Sequence, residues 1–244
     1  MTQSSRDRRY GLFGGTFNPI HLGHLRAAEE VRETLALERI LFIPSRIPPH
    51  KIPQVNDPIA PARLRVDWVE RAIASHEKFA IDRIEVDREG PSYLVDTLTT
   101  IRARDREEAN PVFIVGEDAF AEMGDWKTPE AIFALTDIAV MTRPPGEMTT
   151  LETFMPDVVK ADFDFDEVGK TAWHRTAGRR IDLVPITALD VSSSLIREAC
   201  RAKRSIRYLV PESIRSEVEC SGEYGERSET GEVEGSARIT SPSR

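Results

Sequence analysis

Cysteine is scarce in this sequence, and long apolar runs are absent. Only Cys200 and Cys220 occur among 244 residues, and they form no Cys-x-x-Cys pair. This excludes a disulfide framework, gives no indication of a structural zinc site, and is typical of free thiols in a reducing compartment. No apolar run approaches the roughly 18 residues that a membrane span needs. Residues 1–9 lack the apolar stretch of a signal peptide, so we expect a cytoplasmic protein with no membrane partner.

Positively charged residues are fewer than negatively charged ones. The chain has 33 Lys and Arg against 41 Asp and Glu, which gives a net charge of −8. A non-specific nucleic-acid binder needs a basic surface, so we expect no nucleic-acid partner, although a local basic pocket for phosphates stays compatible with this balance. With 40% hydrophobic and 30% charged residues, the composition is that of a globular protein.

The last 29 residues, 216–244, differ from the rest in composition. They contain seven Glu, six Ser and four Gly against three Arg, and the apolar periodicity ends after Val218. Such a segment buries too little apolar surface to offset the entropy that ordering costs. We therefore predict a folded domain over residues 9–215 and an acidic tail over residues 216–244, disordered from Cys220 onward.

The body of the chain alternates short apolar strands with amphipathic helices. Residues 44–61 contain six prolines and are predicted to form a loop, whereas residues 145–178 show no clear pattern. The alternation predicts an α/β fold, a Rossmann-like doubly wound parallel sheet with helices on both faces. Ligands bind beyond the carboxyl ends of such strands, so the candidate site comprises the loops that follow Phe13, Ile43, Val115 and Met141.

The loop after the first predicted strand is rich in glycine and contains two histidines. It reads Gly14-Gly15-Thr16-Phe17-Asn18-Pro19-Ile20-His21-Leu22-Gly23-His24, which is neither the dinucleotide fingerprint nor a P-loop. Its glycines let backbone amides approach an anion, and the helix that follows adds unsatisfied N–H groups. His21 and His24 are three residues apart and share one face, where both can donate to a phosphate. No third metal ligand is near them, and the absence of a side chain at Gly23 leaves room for the phosphate.

A second motif opens a predicted helix near the end of the domain. It reads Asp190-Val-Ser192-Ser193-Ser194-Leu-Ile-Arg197. Its serines can cap the helix, or their hydroxyls can bind a phosphate that Arg197 clamps one turn later. The two motifs in this order resemble the signature of the nucleotidylyltransferase superfamily. These enzymes transfer a nucleotidyl group from a nucleoside triphosphate to a phosphate or similar acceptor and release pyrophosphate.

Four shorter segments narrow the resemblance from the superfamily to one family within it. They are Pro48-Pro49-His50-Lys51, Pro91-Ser92-Tyr93, Gly116-Glu-Asp118 with Trp126 eight residues later, and Arg143-Pro144. Together they look like bacterial nicotinate-nucleotide adenylyltransferase over about residues 9–215. The resemblance implies adenylyl transfer from ATP to nicotinate mononucleotide, which gives deamido-NAD and pyrophosphate in NAD biosynthesis.

The resemblance also implies roles for individual residues. The catalytic residues would be His21, His24 and Arg197. ATP would contact Gly14, Gly15, Thr16, Phe17, Gly23, Gly116, Asp118, Ser193 and Ser194. The nicotinate nucleotide would contact Ser45, His50, Lys51, Ser92, Tyr93, Leu94, Trp126 and Lys127. Mg²⁺ would arrive with ATP and need no protein cage, and homo-oligomer formation is left open.

Two positions depart from the family pattern. Leu94 stands where the family often has threonine, and Lys127 stands where it often has an aromatic residue. Both positions lie near the nicotinate carboxylate in the family. We hypothesise that Lys127 supplies a cation to this carboxylate, with a solvated lysine at a helix start as the alternative. Two alternative functions are an adenylyltransferase that uses nicotinamide mononucleotide or another phosphate acceptor, and a non-catalytic nucleotide-binding relative.

Overall fold

One mixed sheet is the centre of the molecule. A computed structural model describes residues 9–49, 58–105, 110–142 and 150–225. The strand order is β3-β2-β1-β4-β5-β8-β7-β6. The strands are β1 Arg9–Gly15, β2 Ile40–Pro44, β3 Phe79–Ile81, β4 Asn110–Gly116, β5 Asp137–Thr142, β6 Phe163–Phe165, β7 Thr171–His174 and β8 Arg180–Pro185.

Helices connect most of these strands. A 3₁₀ turn, Glu122–Asp125, follows the fifth helix. Within the described ranges, no helix is both long enough and apolar enough to cross a membrane. The helices are α1 Leu22–Thr34, α2 Ala62–Ile73, α3 Ile84–Asp87, α4 Leu94–Asp105, α5 Glu117–Ala121, α6 Pro129–Leu135, α7 Leu151–Phe154, α8 Asp157–Lys160, α9 Ser193–Arg201 and α10 Glu212–Cys220.

The pairing of the strands confirms the predicted doubly wound sheet. The pairs β1–β2, β2–β3, β1–β4, β4–β5 and β5–β8 are parallel. The chain builds outward from β1 through β2 to β3 and then returns to place β4 on the other side of β1. This reversal puts the topological switch point between β1 and β4, where open α/β sheets bind their ligands. β6 and β7 extend the edge beyond β8 as antiparallel strands.

Two hydrophobic cores cover the two faces of the sheet. On β2, Ile40 and Phe42 face a core that also contains residues of α1, α2, α9 and α10. Leu41 and Ile43 face the second core, which contains residues of α4, α5, α6, α7 and α8. A strand that is buried on both faces explains the uninterrupted apolar run over residues 40–43.

Three local features were not evident from the sequence. Ile84–Asp87 is a short helix that follows β3. Thr128 precedes Pro129 at the start of α6, but it has a positive φ of 50° and its side chain makes no capping hydrogen bond. Residues 150–178 lack a clear pattern because they form four elements of only three or four residues each, α7, α8, β6 and β7.

The predicted start of the acidic tail is wrong. Helix α10 extends to Cys220, and Val218 and Tyr224 are both 1% exposed. The folded domain therefore continues past residue 215 to at least Tyr224. Residues 226–244 lie outside the described residues. The composition of residues 216–244 was averaged over the whole segment, and this average did not show that Val218 and Tyr224 pack into the core.

Candidate functional site

Two clefts open at the carboxyl ends of the parallel strands, and both reach the loop that follows β1. The histidine cleft is lined by Phe13, His21, Gly23, His24, Ala27, Gly116, Glu117, Asp118, Met141, Ser192 and the 186–189 and 191 positions of the loop after β8. The tryptophan cleft is lined by Gly14, Gly15, Thr16, Ser45, Pro48, Pro49, Glu85, Ser92, Tyr93, Leu94, Phe113, Ala119, Glu122, Trp126, Lys127 and Ile132.

The two histidines of the first motif stack on each other, which confirms that they share one face. His21 is the N-cap residue of α1, and the ring centroids of His21 and His24 are 3.7 Å apart at an interplanar angle of 27°. The backbone N–H of His21 donates to Nδ1 of His24 over 3.2 Å. Because Nδ1 accepts, the neutral ring of His24 carries its proton on Nε2. His24 thus offers an Nε2–H donor from a ring that lines the cleft.

Phe17 lies behind His24 instead of lining either cleft. Its side chain is only 2% exposed, and its ring meets that of His24 edge-on at 5.2 Å. Its backbone has a positive φ of 47°, a conformation that non-glycine residues rarely adopt. The ring of Phe17 therefore supports His24, and any contact with ATP is left to the loop backbone.

Gly23 has a packing role that the sequence did not reveal. A Cβ at this position would lie 3.0 Å from Nδ1 of His21 and 3.0 Å from Cγ1 of Val191. A side chain would therefore push the His21 ring or the loop before α9 out of place. This close approach favours glycine whether or not a phosphate passes nearby.

Residues of the second motif, 190–197, form hydrogen bonds with the first motif, 14–24. Ser192 is the N-cap of α9 and accepts a hydrogen bond from the backbone of Leu195 over 3.1 Å. Ser193 Oγ donates to the carbonyl oxygen of Pro19 over 2.8 Å. Arg197 is 7% exposed and donates through Nη1 to the carbonyl oxygen of Asn18 over 2.8 Å. These bonds join α9 to the loop that precedes the two histidines.

Further contacts place the remaining predicted ATP residues. Nη2 of Arg197 donates to Ser194 Oγ over 3.0 Å, and Ser194 itself is exposed. Gly116 ends β4 and is the N-cap of α5, with open space where a Cβ would project. Asp118 follows in the first turn of α5 and lines the histidine cleft together with Gly116.

The tryptophan cleft brings together most of the residues predicted for the nicotinate nucleotide. Ser45, Ser92, Tyr93, Leu94, Trp126 and Lys127 all line it, whereas His50 and Lys51 lie outside the described residues. Gly14, Gly15 and Thr16, which were predicted for ATP, also line this cleft. The Oγ atom of Ser45 is buried and has no hydrogen-bond partner among the described residues. A buried hydroxyl without a partner at a cleft wall is a candidate contact for a polar ligand atom.

Lys127 stands at the rim of the tryptophan cleft with a charged partner. Its Nζ lies 2.9 Å and 3.0 Å from the two carboxylate oxygens of Asp96 and 4.8 Å from the centre of the Tyr93 ring. The side chains of Lys127 and Asp96 are 46% and 40% exposed. An exposed pair of this kind is weak and costs little to rearrange.

Sequence reasoning missed Glu85, a buried carboxyl group in the wall of the same cleft. Glu85 is 7% exposed, and its Oε1 accepts a hydrogen bond from Thr97 Oγ1 over 2.7 Å. Burial raises the pKa of Glu85 above its usual range, against the opposing effect of hydrogen bonds from Thr97 and Ser92. Nothing in the local sequence distinguishes Glu85 from the exposed acidic residues around it.

Sequence reasoning also missed Arg65, although its spacing from the apolar residues of α2 indicates that it is buried. It precedes Trp68, Val69 and Ala72 by three, four and seven residues on α2, which places it on the buried face of the helix. Its guanidinium donates to the carbonyl oxygens of Thr16 over 2.6 Å and Ser45 over 2.7 Å. Burial lowers the pKa of Arg65 to about 10, so the side chain remains charged at neutral pH.

Comparison with known proteins identifies the family. The Cytidylyltransferase-like family model matches residues 12–199. A probable nicotinate-nucleotide adenylyltransferase of Trichlorobacter lovleyi is 44% identical over 217 residues, which cover 88% of this chain and 99% of the relative. The chain belongs to the nicotinate-nucleotide adenylyltransferase family. A probable nicotinate-nucleotide adenylyltransferase of Geobacter metallireducens is 41% identical over 206 residues, covering 84% of this chain and 93% of its own.

A solved structure agrees with the fold. The nicotinic acid mononucleotide adenylyltransferase of Plasmodium falciparum, complexed with NaAD, superposes with a TM-score of 0.65. The match covers 89% of this chain and 97% of the other at 15% identity. At that identity the likeness extends to the architecture alone, and it supports the doubly wound sheet of this nicotinate-nucleotide adenylyltransferase family member.

The buried carboxyl of Glu85 makes stability depend on pH. Its pKa is raised in the folded chain, so the folded state binds the proton more tightly than the unfolded state does. This stabilisation is complete below the unfolded pKa of roughly 4.3 and is lost as pH rises through the higher folded value. We expect Glu85→Gln to gain stability relative to the parent protein as pH rises from about 5 to 8, measured by urea unfolding.

Glu122→Gln provides the matched control, because Glu122 lines the same cleft but is exposed. The pH dependence of its stability difference from the parent protein is the background against which Glu85→Gln is compared. A Glu85→Gln difference that changes with pH no more than this background would show that the Glu85 carboxyl titrates alike in the folded and unfolded chains.

Proposed function

We propose that this chain transfers the adenylyl group of ATP to nicotinate mononucleotide, forming deamido-NAD and releasing pyrophosphate. The observation that carries the proposal is the stacked pair of His21 and His24 at the N-terminus of α1. The pair lines one cleft, while the loop before it lines a second cleft that contains Trp126. Two substrates bound in these clefts would meet at the end of β1.

ATP belongs in the histidine cleft on this proposal. The Nε2–H of His24 is a donor for the α-phosphate, which gains negative charge density as the reaction proceeds. In the first turn of α1, the N–H groups of Leu22 and His24 already donate to the carbonyl oxygens of Leu209 and His21. Asp118, exposed in the first turn of α5, is an acceptor for ribose hydroxyls. The exposed start of α9, with Ser194 and Arg197 behind it, is the site for the β- and γ-phosphates.

Nicotinate mononucleotide belongs in the tryptophan cleft. The indole of Trp126, which also meets Phe113 edge-on at 6.3 Å, offers a face for the electron-poor pyridine ring. The buried hydroxyl of Ser45 is a hydrogen-bond partner for a polar atom of the ligand. Tyr93 and Leu94 complete the wall beside the ring.

The chemistry is a direct displacement at phosphorus. A phosphate oxygen of the mononucleotide attacks the α-phosphorus of ATP and forms the new P–O bond. The bond from the α-phosphorus to the bridging oxygen of the β-phosphate breaks, and pyrophosphate leaves with the electron pair. Because the attacking phosphate is already anionic, no side-chain nucleophile is needed. The chain contributes alignment of the two phosphates and stabilisation of the negative charge.

Mg²⁺ would enter with the nucleotide. Among the described residues, no group of three or more His, Cys, Asp or Glu side chains could hold a metal ion. Mg²⁺ is commonly bound through substrate phosphates and water, and this mode fits a cleft without a cage of ligands. When bound, the ion would neutralise part of the triphosphate charge. His21, His24 and the N-terminus of α9 would orient the phosphates.

Pyrophosphate release tests the proposed function. The purified chain would be given Mg-ATP with nicotinate mononucleotide, nicotinamide mononucleotide or phosphopantetheine in separate assays. We expect kcat/KM to be greatest with nicotinate mononucleotide. A preference for the amide would overturn the proposed acceptor, and silence with all three acceptors despite measurable ATP binding would favour a non-catalytic relative.

His24→Ala tests the assigned charge stabilisation. Removing one donor that acts on the transition state is expected to lower kcat by at least about 100-fold. His174→Ala is the control, because His174 follows Trp173, which pairs with Arg180 at the start of β8, the end of that strand opposite to the loop that lines the histidine cleft. Retention of more than a tenth of the parent kcat by folded His24→Ala would contradict the role given to this ring.

Lys127 and Asp96 provide a test of substrate selectivity with two opposite expected results. If the Lys127 ammonium attracts the nicotinate carboxylate, Lys127→Ala should lower the preference for the acid over the amide by about two- to fivefold, the range of an exposed ion pair. Asp96→Asn removes the competing carboxylate and should raise the same preference. The measurement is the ratio of kcat/KM for the two mononucleotides. Equal ratios in both variants and the parent protein would leave Lys127 as a solvated lysine.

A further inference from the structure

The segment after α10 inserts a tyrosine beneath the motif that contains the histidines. Tyr224 is four residues past the end of α10 and is 1% exposed. Its ring centroid lies 5.9 Å from that of Trp68 on α2. Its hydroxyl forms a hydrogen bond of 2.7 Å with Oδ1 of Asn18. A residue 206 positions away in sequence thus contacts the loop that leads to His21 and His24.

Asn18 connects this loop to several distant parts of the chain. Its Oδ1 also accepts the backbone N–H of Ala60 over 2.9 Å, and its Nδ2 donates to the carbonyl oxygen of Pro58 over 3.0 Å. Its own carbonyl oxygen accepts from Arg197 over 2.8 Å. Asn18 therefore takes part in four hydrogen bonds that join the loop to distant parts of the chain.

The hydrogen bond between Tyr224 and Asn18 has a defined direction. The contacts with Ala60 and Pro58 fix which end of the Asn18 amide is oxygen, so the tyrosine hydroxyl must be the donor. Burial raises the pKa of Tyr224 well above its usual range and keeps the phenol protonated. The donor is thus present at every pH at which the enzyme would work.

The C-terminal part of the chain fastens α1 at a second point. The backbone N–H of Leu22, at the first position of α1, donates to the carbonyl oxygen of Leu209 over 3.0 Å. Residues 206–224 therefore contact the motif on both sides of His21. All of these residues lie beyond residue 199, where the match to the family model ends.

We propose that Tyr224 is a positioning residue that sets the placement of His21 and His24 through Asn18. The inference rests on the proposed function, in which these rings act by position. Charge stabilisation requires donors to be held within about 0.5 Å of their productive places, and an irregular loop can meet this requirement only through external bonds. The hydroxyl of Tyr224 forms one such bond, and Tyr224 is not among the residues that line either cleft.

Tyr224→Phe is the primary test, because it removes the hydroxyl and keeps the ring against Trp68. We expect kcat for pyrophosphate release to fall about two- to tenfold, the effect of losing one buried hydrogen bond, with KM for both substrates nearly unchanged. Tyr208→Phe is the matched control, since Tyr208 belongs to the same C-terminal segment but is 80% exposed. A fall in melting temperature with an unchanged kcat in the folded variant would overturn the proposal.

A double-variant cycle tests whether Tyr224 acts through Asn18. In an Asn18→Ala background, Tyr224→Phe should cause no further loss in kcat, because the acceptor is already gone. Losses that multiply fully in the double variant would show that the two residues act independently and would contradict the proposal. If Asn18→Ala fails to fold, the kcat of Tyr224→Phe still decides the question.

Histidine NMR signals separate this inference from the proposed function. In the full-length protein, Tyr224→Phe should shift the ring ¹³C and ¹H signals of His21 and His24 and leave those of His174 in place. Tyr208→Phe should shift none of the three. Shifted signals in a chain that releases no pyrophosphate with any acceptor would refute the proposed function and retain the positioning role. Unshifted signals would refute the positioning role.

Discussion

The guanidinium of Arg65 joins three backbone segments, and two of them, at Thr16 and Ser45, line the tryptophan cleft. It donates to the carbonyl oxygens of Thr16 after β1, Ser45 after β2, and Ala60 before α2. Burying a charge is costly unless hydrogen bonds satisfy its donors, and charge-assisted bonds to oxygen are among the stronger ones available. The planar arrangement of five N–H groups also imposes directions that a lysine could not. The loops at the ends of β1 and β2 therefore keep a fixed separation, and the tryptophan cleft lies between them.

Other buried side chains also donate hydrogen bonds to the loop between β1 and α1. Arg197 from α9 and Tyr224 from the segment after α10 both donate to Asn18, while Arg65 from α2 donates to Thr16. Each donor comes from a different element on the same face of the sheet. A displacement reaction without a protein nucleophile depends on alignment and charge, so errors in loop position translate directly into lost rate. The oxygen atoms of Thr16 and Asn18 on the irregular loop thus accept hydrogen bonds from buried side chains of other elements.

The sequence was sufficient for the architecture and for the two motifs, but not for how the motifs are supported. Strand and helix periodicity predicted the parallel sheet because its strands are buried on both faces. The spacing of His21 and His24 predicted that they share one face, because three residues make almost one helical turn, whereas the stacking of their rings is visible only in the structure. The role of Tyr224 could not be predicted from the sequence, because a single aromatic residue in an acidic segment gives no indication of what it contacts. Its hydrogen bond to Asn18 is visible only in the structure. The short elements α7, α8, β6 and β7 contain too few residues for any periodicity to emerge.

Local donors, and not net charge, account for how an acidic chain can accept a triphosphate. The chain carries a net charge of −8, and Glu117 and Asp118 line the histidine cleft itself. At long range the net charge therefore repels a polyanion, and binding depends on groups within hydrogen-bond reach. On the function proposed above, the N-terminus of α9 and the Nε2–H of His24 are such groups, and the hydrogen bond to Nδ1 fixes the direction of the His24 ring. We therefore expect a nucleotide whose charge Mg²⁺ partly neutralises to bind in this cleft better than the free polyanion, because the acidic walls would then repel it less while the oriented donors would still bind its phosphates.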